Sequence, residues 1–151
     1  MAKFPKNYDP KGIGEKSEAM IMAAFLRADK TVLQPFGDNQ RYDLVIDEEG
    51  EFFRIQCKTA LLSKDKKYFE YPTSSQNWNS KKRKNYIGQA DLFAVYLREE
   101  DEIFIFSVAK SPKGHAIARL APSKAKGGQR KKIRMAKDYK FDPNRSFKEC
   151  L

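Results

Sequence analysis

The sequence predicts an α+β or α/β fold built around one mixed β-sheet. Three observations predict it: one long run of helix formers near the N-terminus, a series of short β-branched and aromatic runs behind it, and a last third of mixed patterning. At 151 residues and 40% hydrophobic content, the chain has material for one core, so a single domain over residues 1–151 is expected.

The helix comes first. Residues 14–28, GEKSEAMIMAAFLRA, are good helix formers and apolar on most faces after Glu18, which predicts a largely buried helix. TVLQPF at 31–36 follows as a short strand and GDNQ as a turn. In RYDLVIDEEGEFFRIQCKT, residues 41–59, two β-rich runs flank EEG and read as a hairpin. KYFEY at 67–71 is a further strand, and PTSSQNWNSKKRKN at 72–85 a polar loop. DLFAVYL at 91–97 and EIFIFSV at 102–108, joined by the turn residues REED, form an antiparallel pair. AIARL at 116–120 is compatible with a strand, and KKIRMAKDY at 131–139 with either a helical turn or a strand.

Charge narrows the function. Thirty Lys+Arg against twenty Asp+Glu give a net charge of +10, which points to a polyanionic partner. The basic residues are interleaved with Gln, Asn, Tyr and Trp rather than with an amphipathic apolar stripe, which favours nucleic acid over an anionic membrane. From Ile103 to Lys137 there is no acidic residue, and KKRK at 81–84 and KAKGGQRKKIR at 124–134 concentrate the positive charge. No apolar run approaches the roughly 18 to 20 residues of a membrane span, and the N-terminus lacks a signal-peptide core. Cys57 and Cys150 make neither a metal spacing nor a disulfide framework. A cytoplasmic, nucleoid-associated protein without a membrane partner is therefore expected.

Three polar side chains, Asp43, Gln56 and Lys58, interrupt the hairpin where apolar residues are the norm. With Glu49 and Gly50 as a two-residue turn, cross-strand numbers sum to 99 and Asp43 falls opposite Gln56. Period-2 alternation puts Lys58 on that face and turns Leu44, Ile46, Phe53, Ile55 and Cys57 to the other. A three-residue turn with a bulge would instead scatter the polar set. A carboxylate, an amide and an ammonium on one face suit metal-assisted phosphodiester hydrolysis, and an exposed polar sheet face is the competing reading. A hard cation such as Mg2+, or Mn2+ in its place, takes oxygen from Asp43, the Gln56 amide and the Cys57 carbonyl. Lys58 would orient water or stabilise developing negative charge. A second acid is needed, and Glu18 on the helix is the candidate, with Glu15 its competitor.

The pattern D-x12-Q-x-K behind a helical Glu resembles the PD-(D/E)XK nuclease superfamily, with Gln at the second acidic position and Tyr42 in place of the proline. PFGDNQRYDLVIDEEGEFFRIQCKTA and YIGQADLFAVY resemble more narrowly the small homing endonucleases encoded in bacterial group I introns, of which the cyanobacterial transfer-RNA intron enzyme is the type. The likeness covers roughly residues 12–110. It implies a restriction-endonuclease-like core, with a central mixed sheet flanked by helices, and a divalent-metal endonuclease acting on double-stranded DNA as a homodimer or homotetramer. It also implies Asp43 as the metal-binding acid, Gln56 at the D/E position, Lys58 as the catalytic lysine and Glu18 as the helical acid.

DNA contacts are expected from Gln76, Asn77, Asn79, Lys81, Lys82, Arg83 and Lys84 in one loop, and from Gln129, Arg130, Lys131, Lys132 and Arg134 in another. Asp91 reads as structural or as a partner of Lys58, and Tyr86 as a phosphate contact or a packing residue. Trp78 reads as a loop anchor or a base contact. His115, the single histidine, cannot build a His-based metal site. Two rival functions remain open at this level: a Holliday-junction resolvase-like nuclease and a non-catalytic basic DNA-binding module.

Overall fold

The computed structural model describes residues 7–77, 79–124 and 133–151. Trp78, Gln129, Arg130, Lys131 and Lys132 lie outside the described residues.

Helix α1 runs Pro10–Arg27, four residues earlier than the sequence pattern suggests. The reason is Pro10 at the first helical position, where a fixed φ is already helical and the missing N–H is not needed. The helix ends on Asp29 at φ 57°, with Lys30 N–H donating to Phe25 O at 3.0 Å to close its last turn. The expectation of a largely buried helix is corrected. One stripe, Ser17, Ile21 and Phe25, is buried, while Met20 and Leu26 remain 40% and 54% exposed. An all-round apolar composition does not decide which side packs; only one side of α1 meets the sheet.

The central sheet has five strands in the order β1 (Thr31–Leu33), β2 (Leu44–Glu48), β3 (Glu51–Thr59), β8 (Leu92–Leu97) and β9 (Glu102–Ser107). β3 and β8 are parallel and the other neighbours antiparallel, so the sheet is mixed as expected. All six residues of β8 are buried, because this strand is covered on both faces. One face carries Leu44, Ile46, Phe53, Ile55, Leu92, Ala94 and Ile105 against Ile21 and Phe25 of α1. The opposite face carries Phe93, Val95, Phe104 and Phe106.

That opposite face is not covered by a helix. A second sheet covers it, in the order β10 (His115–Arg119), β5 (Tyr68–Pro72) and β4 (Leu61–Leu62), contributing Phe69, Tyr71, Ala116 and Ala118. The expectation of helices on the sheet is corrected to one α-helix among the described residues. The run at 67–71 is a strand, but it belongs to this second sheet. Residues 72–85, expected as a loop, include a two-stranded ribbon of β6 (Ser74–Gln76) and β7 (Arg83–Asn85). Ser-Ser-Gln and Arg-Lys-Asn show no apolar alternation, so the pattern gives no strand signal there. The C-terminal tail is fastened to the hairpin end: Glu48 accepts from Ser146 Oγ and the Phe147 N–H, and the Phe147 ring packs on Phe25 at 5.3 Å.

Candidate active site

The site is set by a two-residue turn. Glu49 at φ 54° and Gly50 at φ 87° give both central residues positive φ, the type I′ geometry that matches strand twist. Glu48 then pairs with Glu51 and Leu44 with Ile55, the register that sums to 99. Asp43 stands one residue before β2, just outside the paired register, on the same β3 carbonyl that faces Leu44. Its N–H donates to Ile55 O at 2.8 Å, and its Oδ2 accepts the Cys57 N–H at 2.9 Å. The carboxylate is thus aimed by backbone, not by a flexible partner.

Glu18 reaches the same place from α1. Ser17 Oγ, buried against β3, is 2.6 Å from Thr59 Oγ1, which fixes the rotation of the helix on the strand and leaves Glu18 half-buried at its edge. Glu15 is exposed. Glu18 and Asp43 line one cleft of about 380 Å³, with Gln34, Asp38 and Gln40 of the loop before Asp43 on its rim. Burial raises the Glu18 carboxyl above its ordinary range, and the charges of Asp43 and Glu15 add to the effect. Burial also raises Asp43, outweighing the Cys57 N–H and the Lys58 charge, which act to lower it. A half-buried acid raised by burial and by a second acid across the cleft is a concentration of negative charge that a cation would relieve.

Two neutral oxygens follow along β3. Gln56 Nε2 donates to Cys57 O at 3.3 Å, and the Cys57 N–H is the group that Asp43 accepts. Among the described residues no group of three His, Cys, Asp or Glu side chains is placed to hold a metal. Two carboxylates with an amide and a backbone carbonyl form an all-oxygen donor set, which fits a hard divalent cation that keeps some of its waters and not a zinc centre.

Lys58 lies on the same strand face as Gln56, turned toward the second sheet. Its Nζ donates to Tyr86 Oη at 2.9 Å. Tyr86 is 5% exposed and packs edge-on against Phe93. Arg41 lies over the Tyr86 ring, with its guanidinium carbon 4.1 Å from the centroid. Arg41 was not singled out in the sequence. Its signal would have been position alone, two residues before Asp43, and its partners lie 34 to 48 residues away.

Asp91 is not a partner of Lys58: its carboxylate takes a two-pronged fork from Arg54, at 3.2 Å to Nε and 3.0 Å to Nη2. Gln76, Asn79, Lys81, Lys82, Arg83 and Lys84 are exposed on or beside the β6–β7 ribbon. Asn77 is exposed too, but its Oδ1 accepts the Asn79 and Ser80 N–H groups and so shapes the turn between the strands. Arg134 turns inward: its guanidinium carbon is 4.4 Å from the Phe106 centroid and 5.3 Å from that of Tyr139. Aromatic faces receive this side chain. His115 is the exposed first residue of β10.

The sequence model of the PD-(D/E)XK endonuclease family matches residues 8–142, which takes in α1, both sheets and the whole cleft. The chain belongs to the PD-(D/E)XK endonuclease family. Among solved structures, a bacterial homing endonuclease, I-Ssp6803I, is similar with a TM-score of 0.68 and 21% identity, over 88% of this chain and 89% of that one. The likeness is one of fold, a restriction-endonuclease-like core. None of the curated proteins matches. In this chain Asp43, Gln56 and Lys58 stand in the spacing D-x12-Q-x-K, and Glu18 and Asp43 line the same cleft. Divalent metal use is general in such nucleases, and no helix is long and apolar enough to cross a membrane among the described residues.

Proposed function

We propose that this PD-(D/E)XK nuclease, as a single domain spanning the chain, is a sequence-specific endonuclease of the intron-encoded homing type that hydrolyses double-stranded DNA. The observation that carries the reading is the acid pair Glu18 and Asp43 lining one cleft, with the Lys58 charge acting on Asp43, on a strongly basic chain of this family.

Glu18, Asp43, the Gln56 amide oxygen and the Cys57 carbonyl would hold the cation, Mg2+ or Mn2+. When bound, it supplies Lewis acidity at the scissile phosphate and lowers the pKa of a coordinated water. The chain's own residues do the rest. Asp43, locked by Cys57 N–H and Ile55 O, fixes where the phosphate must sit. Lys58 places a positive charge beside that point, where it orients the attacking water and offsets the charge that develops on the phosphate oxygens. One water and one P–O ester bond are consumed, and a phosphate monoester and a hydroxyl result. The water's proton leaves to solvent and the departing alkoxide takes one up.

Lys81, Lys82, Arg83 and Lys84 on the ribbon would hold backbone phosphates, with Gln76 and Asn79 close enough in sequence to reach base edges. One site cuts one strand, so cutting both strands at a fixed locus calls for two copies, as a homodimer or within a homotetramer. Such an enzyme acts on cytoplasmic, nucleoid DNA.

The test is cleavage of a randomised duplex library with Mg2+ by the native protein and by Lys58→Ala, with the ends sequenced. One long motif cut by the native protein alone supports the reading. Binding without cuts by either protein sinks it in favour of a non-catalytic module, and cutting confined to four-way junctions points to a resolvase. Affinity should fall steeply with salt, each phosphate contact adding about 0.9 to the slope of log K against log[salt].

A further inference from the structure

Lys58 is not left to swing in solvent. Its ammonium is hydrogen-bonded to a phenol that is itself buried, at 2.9 Å, and a guanidinium stacks on that phenol's ring at 4.1 Å. The guanidinium belongs to Arg41, and its remaining donors are spent on the β6–β7 ribbon and the segment behind it. Nε donates to Gln89 Oε1 at 2.8 Å, Nη1 to Ser75 Oγ at 2.6 Å, and Nη2 to the carbonyls of Lys84 and Asn85 at 3.1 and 2.8 Å. Arg41 thus holds a planar face against Tyr86 and a forked edge against the ribbon. A lysine cannot reproduce both, since it has neither the plane nor the fork.

We propose that Tyr86 and Arg41 are positioning residues for Lys58: Tyr86 sets the ammonium, and Arg41 locks Tyr86 to the basic β6–β7 ribbon, so that phosphates held by the ribbon lie at a fixed offset from the ammonium. The proposal rests on the reading of Lys58 as a catalytic residue. It adds that the DNA-holding element and the reacting centre are joined through two side chains, neither of which needs to touch the scissile phosphate. The geometry has an economy that chance packing does not require. The ribbon is polar, with Arg83, Lys84 and Asn85 all exposed, so few apolar contacts hold it in place, and Arg41 supplies three hydrogen bonds to it instead. A misplacement of about 1 Å at a reacting group is enough to cost roughly 100-fold in rate.

The experiment uses the full chain and a duplex carrying the cut sequence recovered from the library. Tyr86→Phe keeps the ring and removes the hydroxyl. It should slow single-turnover cleavage at saturating DNA by about 10- to 100-fold, while Kd, measured without metal, stays within about twofold and Tm is unchanged. Arg41→Ala and Arg41→Lys should both slow cleavage and weaken binding, because ribbon and ammonium are released together. A second readout does not depend on cleavage: the Lys58 ammonium, held by Tyr86 Oη, should give a slowly exchanging proton–nitrogen NMR signal in the native protein that disappears in Tyr86→Phe. A signal that persists in Tyr86→Phe overturns the proposal, as does native-rate cleavage by Tyr86→Phe when Lys58→Ala is inactive. Native-rate cleavage by Lys58→Ala overturns the reading of the site instead, and the ammonium signal then still decides whether Tyr86 positions it.

Discussion

Asp43 and Asp91 are two solutions to one local geometry. Each stands immediately before a strand that flanks β3, Asp43 before β2 and Asp91 before β8. Each N–H donates to a β3 carbonyl, Ile55 O or Arg54 O, and each carboxylate accepts a β3 N–H, from Cys57 or Arg54. They then diverge. Burial acts to raise Asp91, but the Arg54 side chain, its N–H and its charge outweigh it and hold the carboxyl below the ordinary range. Asp43 has no guanidinium, and burial outweighs the Cys57 N–H and the Lys58 charge, so its carboxyl is raised. The compensated aspartate fastens two strands together; the uncompensated one faces Glu18 across a cleft.

The largest expected effect comes from neutralising the uncompensated acid. Asp43→Asn should reduce cleavage by about 100- to 1,000-fold or more and leave Tm of the metal-free protein unchanged or raised, because a buried charge next to Glu18 is gone. A fall in both activity and Tm would make Asp43 a strand fastener like Asp91 and erase the contrast. Conversely, Arg54→Met strips Asp91 of its fork and should cost about 1 to 3 kcal/mol in urea unfolding. The lower half of that range is expected, because the Arg54 side chain is 37% exposed and solvent screens the pair. Cleavage per folded molecule should stay at the native level.

The pH dependence sharpens the same point. A carboxyl whose folded pKa lies below its unfolded value, about 3.9 for Asp, contributes stability that is fully present above that value and is lost as pH falls through the folded pKa. The stability gap between the native protein and Arg54→Met should therefore be constant near neutrality and narrow below about pH 4. A gap that widens toward acid would mean that Asp91 is not held low by Arg54. The smallest expected effect is at the turn that places Asp43. Gly50 has φ 87°, so Gly50→Ala should cost about 1 kcal/mol and leave the register, and with it the cleavage site, unchanged. A shifted or lost cut site would show that the turn, and not the pairing of the apolar face, sets the register.

The hairpin was legible because everything that specifies it is local. Glu-Glu-Gly fits a two-residue turn, alternation at period 2 sorts Phe53, Ile55 and Cys57 from Gln56 and Lys58, and both are read within 19 residues. The helix was legible as a helix, but not its start, its buried stripe or its isolation as the one α-helix among the described residues. Composition says that α1 is apolar all round and says nothing of the neighbour that selects Ser17, Ile21 and Phe25. The β6–β7 ribbon carried no pattern at all, because side-chain bonds from Arg41 rather than an apolar face hold it.

Residue types, turn chemistry and period by themselves determined a mixed-sheet protein with a polar hairpin face and a basic surface. They determined as well that Gln56 and Lys58 share a side of β3. Only the tertiary structure decided which aspartate meets an arginine, that Glu18 and not Glu15 faces Asp43, and that Tyr86 and Arg41 stand behind Lys58. The physical reason is range. A turn or a pleat is fixed by neighbours along the chain, whereas these contacts span 25 to 48 residues and exist only once strand order has placed β8, the ribbon and α1 around β3.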